Sequence, residues 1–110
     1  MNEEIVKVLK AMRVKLAAGW TQEAAARTSC GIPVFSEDPE ACSFCVMGAL
    51  WSANSSLKDT VEDALMQTLR GTGFDLTLPA YNDTPGRTKA EILTLVDKTI
   101  ERLEKTNEQE

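Results

Sequence analysis

An all-α single domain of four to five helices is what this sequence predicts, and three observations predict it. Apolar residues recur at three- and four-residue spacing through most of the chain. Glycine, proline and capping residues cut that pattern into helix-length pieces. One stretch, about residues 39–53, is apolar almost all round, as a helix enclosed by its neighbours is. With 110 residues, 43% apolar and 26% charged, the chain has the mix of one folded core, not two cores or a disordered polymer. No repeat, low-complexity tract or domain boundary interrupts it. Residues 1–105 therefore read as one domain, and 106–110 as a polar tail that frays.

The first helix runs from Asn2 to Ala18. Ile5, Val8, Leu9, Met12 and Leu16 project onto one stripe about 100° wide, and Val6 and Val14 fall outside it. Glu3 and Glu4 sit where the helix dipole favours anions, and Gly19 is the stop. Thr21 then caps a short second helix, Gln22 to Thr28, built on Ala24-Ala25-Ala26 and ended by Gly31 and Pro33. Residues 32–37 form a loop in which Pro33-Val34-Phe35 suits a short extended stretch. Asp38 and Pro39 restart a helix, Pro39 to Ala53, and its lack of a polar face makes it the central one. Ser56 and Asp59 form an acidic variant of the capping box. It opens a fourth helix with Leu57, Val61, Ala64, Leu65 and Leu69 on its inner face, closed by Gly71-Thr72-Gly73. Phe74 to Tyr81 alternates apolar and polar residues and reads as an extended linker, and Asn82-Asp83-Thr84-Pro85-Gly86 is dense turn chemistry. Thr88-Lys89-Ala90-Glu91 is a standard capping box, followed by Ile92, Leu93, Val96, Ile100 and Leu103 at helical spacing.

Several residues form a recognisable series. Trp20, Gly31-Ile32-Pro33-Val34, Asp38-Pro39-Glu40-Ala41, Phe44-Cys45-Val46-Met47-Gly48-Ala49-Leu50 and Tyr81-Asn82-Asp83 occur in that order. The series resembles an uncharacterised family of small bacterial and phage domains, which pairs a (W/F)-C-x-x-G-A-L segment with a later (W/Y)-N-D segment. The resemblance covers roughly residues 8–100, and Phe44 stands where Trp is more usual. It implies a shared fold and a phage or mobile-element origin, and no reaction. Gly48 in a bulky helix costs about 1 kcal/mol relative to Ala, so close packing should offset it, with Trp20, Trp51 or Tyr81 as the covering ring. Asn82-Asp83 most simply turns the chain by bonding nearby backbone N–H groups. The plainer reading of these residues is a packing notch and a structural turn. The sharper one is a binding site made of Trp20, Phe44, Cys45, Gly48, Trp51, Tyr81, Asn82 and Asp83.

Composition closes several chemical classes. There is no histidine, which removes the commonest general base and zinc ligand together. Cys42-Ser43-Phe44-Cys45 is a C-x-x-C, with Cys30 a third thiol, but tetrahedral zinc needs a fourth ligand, for which Asp38 or Glu40 would have to serve. No βαβ strand precedes the pair, as a thioredoxin-like site requires. The thiols therefore read as small hydrophobes in a buried helix, with no metal or cofactor expected. Glu37/Asp38 and Glu62/Asp63 read as solvated charge, and Gly71-Thr72-Gly73 as a helix stop and not a phosphate loop. Lys7, Lys10, Arg13 and Lys15 spread around the first helix as a solvated face.

Twelve basic against seventeen acidic residues give a net charge of −5, which argues against direct nucleic-acid or anionic-membrane binding. No run approaches the roughly 18 apolar residues of a membrane span, and Met1-Asn2-Glu3-Glu4 is the reverse of a basic signal-peptide start. A cytoplasmic location is the expectation. What remains is a non-enzymatic acidic protein-binding module, in its most concrete form one that modulates a host nuclease or defence component. Its partner is a host protein or a second copy of the chain. The alternatives are a metal- or thiol-dependent protein using Cys30, Cys42 and Cys45, and a small-ligand pocket lined by Trp20, Trp51, Tyr81 and Asn82.

Overall fold

The longest helix contact in the molecule joins the two ends of the chain. In the computed structural model, which describes residues 2–53 and 55–109, α1 (Asn2–Ala18) lies along α5 (Lys89–Gln109). Ile5, Leu9, Met12 and Leu16 are buried from α1, as their spacing predicts, and they meet Ile92, Leu95, Val96, Ile100 and Leu103 of the core. Val6 is also buried, so the apolar stripe is wider than the 100° expectation, whereas Val14 is 71% exposed. On the outer edge of the pair Arg13 grips Asp97 with both Nε and Nη2. The capping box at the start of α5 forms as expected. Thr88 Oγ1 accepts from the Glu91 N–H at 3.2 Å and Glu91 Oε1 accepts from the Thr88 N–H at 3.0 Å.

Between α1 and the rest of the helices the chain is not helical, and the domain is therefore mostly helical but not all-α. The short strands β1 (Ala26–Arg27), β2 (Pro33–Val34) and β3 (Ser43–Phe44) form an antiparallel sheet in the order β2-β1-β3, with Ala26 opposite both Val34 and Phe44. The helix expected over residues 22–28 does not form. Alanine's helix preference amounts to a few tenths of a kcal/mol per residue over most alternatives, and here long-range backbone pairing outweighs it. The Ala25 carbonyl accepts from the Cys45 N–H, and Ala26 is fully buried in the sheet.

The central helix is likewise shorter than expected: α2 spans Val46–Ser52, not 39–53. The N–H groups a helix from Pro39 would use are taken elsewhere. The Asp38 side chain does accept from the Glu40 N–H, as a cap would, but the Cys42 N–H goes to the Arg27 carbonyl and the Phe44 N–H to the Gly19 carbonyl. An apolar run of this length is a buried strand followed by a buried helix, which periodicity alone does not separate from one helix. The centrality of α2 does hold: Val46, Met47, Gly48, Ala49 and Leu50 are all buried.

Two further boundaries differ. α3 (Lys58–Arg70) buries Val61, Ala64, Leu65 and Leu69 as expected, but no side chain caps it; Ser55 Oγ accepts from the Leu57 N–H instead, so the Ser56–Asp59 box is not made. Residues 74–81 are not a linker, because α4 (Leu78–Asp83) begins there. Thr77 Oγ1 caps it by accepting from the Ala80 N–H, and Pro79 sits in its first turn, where no N–H is needed. Leu78 and Asn82, four residues apart, are its fully buried side chains.

The α5 cap yields the first test. Thr88→Ala should cost about 1 kcal/mol in urea unfolding. The Thr88 backbone N–H, then its hydroxyl and Arg87, hold the Glu91 carboxyl below its usual range. Its contribution is thus present above the unfolded carboxylate pKa, about 4.3, and lost as pH falls through the lower folded value. The stability gap between wild type and Glu91→Gln should accordingly shrink on acidification below about pH 4.

Candidate functional site

Asn82 sits on the inner face of α4, and its carboxamide is fully enclosed. Its Oδ1 accepts from Trp20 Nε1 at 2.8 Å and from the Val46 backbone N–H, the first of α2, at 3.0 Å. Its Nδ2 donates to the Thr21 carbonyl at 3.1 Å and to Asp83 Oδ1 at 2.9 Å. Two lone pairs and two amide hydrogens are all that an Asn side chain offers, so the group is saturated. The same Asp83 oxygen accepts from the Glu23 N–H at 2.9 Å, and Glu23 has φ of 63°, a left-handed conformation uncommon outside glycine. Gln22 Nε2 donates to the carbonyls of Asn82 and Thr84, at 3.0 and 3.1 Å. The loop at 20–23 is thereby tied to α4 through side chains and to α2 through one shared oxygen.

The other half of the pattern docks the same loop. Cys45 is the N-cap of α2, its Sγ accepting from the Gly48 N–H at 3.2 Å. Gly48 faces the peptide of Ala25, not an aromatic ring, and a Cβ there would run into the Ala25 carbonyl oxygen. The expected cover by Trp20, Trp51 or Tyr81 is thus replaced by backbone. Phe44 is buried beneath Lys15, whose Nζ lies 5.0 Å from its ring centroid.

The eight candidate residues separate into two groups. Trp20, Phe44, Cys45, Gly48, Asn82 and Asp83 converge on this clamp. Trp51 stands 43% exposed outside it, and Tyr81 packs edge-on against Phe74 with Arg87 over its face at 3.7 Å. The proposed four-residue pocket therefore does not assemble. Trp51 and Asn82 border a shallow cleft of about 210 Å³ with Cys45 and Asp83, whereas Tyr81 lines a different one. Sequence reasoning placed Asn82-Asp83 in a turn and missed Gln22, Glu23 and Ala25 as partners; Gln22-Glu23 carried no signal beyond their place after Trp20 and Thr21.

The thiols are not core residues in a buried helix. Cys30 and Cys42 are exposed, on the turn after β1 and just before β3, and Cys45 is half-buried. Among the described residues no group of three or more Cys, Asp or Glu side chains is placed to hold a metal ion. Burial pushes the Cys45 thiol above its ordinary pKa, against the pull of the Gly48 and Met47 N–H groups. Among those residues, too, no helix is long and apolar enough to cross a membrane.

A family model described as "Family of unknown function (DUF6197)" matches residues 1–102, which bears out the resemblance to an uncharacterised domain family. No curated protein and no solved structure matches the chain.

Three outcomes follow from the clamp. Asn82→Ala strands the buried Val46 N–H and the Trp20 indole, and should lower unfolding free energy by about 3 kcal/mol. Gly48→Ala should cost a similar amount, about 3 kcal/mol, because backbone must move to admit the methyl. In native protein, iodoacetamide should modify Cys30 and Cys42 promptly and the half-buried Cys45 markedly more slowly, read by intact mass. Three equally fast thiols would contradict the shielding of Cys45 as the α2 cap.

Proposed function

As the chain belongs to DUF6197, a family of unknown function, a role has to be read from its own surfaces, and we propose that it is a non-enzymatic protein-binding module. The polar groups of the clamp are spent on one another, and the binding face lies beside them, with Phe44 shared between the two. One observation carries the reading. A groove of about 490 Å³ runs between α1, the loop after β2 and α2, lined by Trp51 and Phe44, with Lys15 over Phe44 and the two carboxylates of Glu37 and Asp38 at its edge. Phe35, next in the chain to this rim, is 82% exposed, and Ile32 is 59% exposed. Exposed aromatic side chains beside a concave surface are the usual anchors of a protein interface.

Charge supports a basic partner. Among the described residues Glu37, Asp38 and Glu40 take part in no ion pair, and the chain carries −5 overall. A second copy would bring the same carboxylates against themselves, so a different protein fits better than a homodimer. The origin implied by the family resemblance makes a host nuclease or defence component, with a basic nucleic-acid groove, the concrete form of that partner.

The test is affinity capture from host lysate with wild type and a Phe35→Ala/Trp51→Ala variant as baits, and Leu76→Ala as an exposed control. Wild type and Leu76→Ala should retain one specific basic partner, and the double variant should bind it at least about tenfold more weakly. Capture of the same partner by all three baits, or of none by wild type, would overturn the assignment.

A further inference from the structure

A second cleft, of about 300 Å³, opens among the C-terminal half of α3, α4 and the first half of α5, and shares no lining residue with the Trp51 groove. Its floor is Leu69 and Leu95, both core side chains, and its walls include Thr72, Tyr81 and Thr94. The hydroxyls of Tyr81 and Thr94 make no hydrogen bond among the described residues, whereas that of Thr72 is spent on the Leu69 carbonyl at 2.6 Å. Lys98 stands at the rim.

The unpaired charge in this lining is positive, although the chain as a whole is acidic. Glu91 is itself part of the lining, and the α5 carboxylates from Glu91 to Glu101 are each paired. Glu91 accepts from Arg87 Nη1 at 2.9 Å and from the Thr88 N–H and hydroxyl. Asp97 is held by both donors of Arg13, and Glu101 is 2.9 Å from Lys105 Nζ. Lys98 has no hydrogen bond or ion pair among the described residues. Behind the Thr68 wall, Arg102 donates to Thr68 Oγ1, the Ala64 carbonyl and Gln67 Oε1, all neutral acceptors, so its charge is not cancelled either. An acidic protein thus presents an apolar-floored cleft with one unpaired cation, a carboxylate neutralised by Arg87, and free hydroxyls.

We propose that this cleft binds a small organic monoanion with a compact apolar body, an aromatic or branched carboxylate being the class. The apolar body covers Leu69 and Leu95, the carboxylate meets Lys98 at the rim, and the hydroxyls of Thr94 and Tyr81 supply donors to it. The volume is at the small end of ligand sites and matches a single ring. One free rim cation suits one negative charge better than the two of a phosphate monoester. This site stands or falls independently of the protein-binding face.

Benzoate is the probe, with benzamide as its neutral isostere, titrated into ¹⁵N-labelled protein and followed by amide shifts. Benzoate should give saturable shifts confined to residues 68–72, 81 and 90–98, with benzamide about tenfold weaker or worse. Lys98→Gln, an exposed change that should leave thermal unfolding unaltered, should weaken benzoate about tenfold and leave benzamide unchanged. The proposal is overturned by shifts that do not saturate below about 10 mM, by equal affinity for the two probes, by an unaffected Lys98→Gln variant, or by equal shifts along Lys7 and Lys10 of α1.

Discussion

The carboxamide of Asn82 is the point at which three separate parts of the chain become one structure. A buried amide left short of partners would cost roughly 1–3 kcal/mol per unmet group. Here all four of its hydrogen-bonding positions are filled, by Trp20, Thr21, Val46 and Asp83. Its oxygen serves as an N-terminal acceptor for α2, whose own N-cap is a thiol, a weak acceptor. Its nitrogen fixes the backbone at Thr21, and through Asp83 the left-handed Glu23. Remove this group and α2, α4 and the loop leading into β1 lose their common anchor.

Gly48 and Ala25 make the same junction close-packed. A helix and a strand approach until the Ala25 peptide occupies the space of a missing side chain. That contact fixes the Ala25 backbone against α2, and the next residue, Ala26, is buried in the sheet. Trp20, Cys45, Gly48, Asn82 and Asp83 of the recognised series are therefore explained as a clamp, and the exposed chemistry lies on residues outside that clamp: Phe35, Trp51, Glu37 and Asp38 on one side, Lys98 and Tyr81 on the other.

How much of this was legible follows the range of the interactions. α1, α3 and α5 are long and periodic, and their inner faces could be read from spacing alone. The Thr88–Glu91 cap is local and was equally plain. The sheet was not, because β1 is held by partners at Val34 and Phe44 that no local signal announces. Trp20 and Asn82 are 62 residues apart, so their bond left no trace in either neighbourhood, although both belonged to the recognised pattern. α4 is a different case. Thr77 and Pro79 are ordinary helix-start residues, and the alternation of Phe74, Leu76 and Leu78 concealed them. The thiols were misplaced as a consequence of the same error, since an all-apolar helix from residue 39 would have buried Cys42, which instead lies exposed before β3.

One side chain couples the loop at 20–23, α2 and α4 into a single cooperative unit. Native-state hydrogen exchange tests it most directly, through the Val46 and Glu23 amides and the Trp20 indole N–H. If the account is right, all three exchange through one opening, with a free energy close to that of global unfolding and the same denaturant dependence. Exchange of Glu23 and Trp20 by a separate, low-energy opening, while the α1–α5 core stays protected, would show that the clamp is peripheral and the account is wrong.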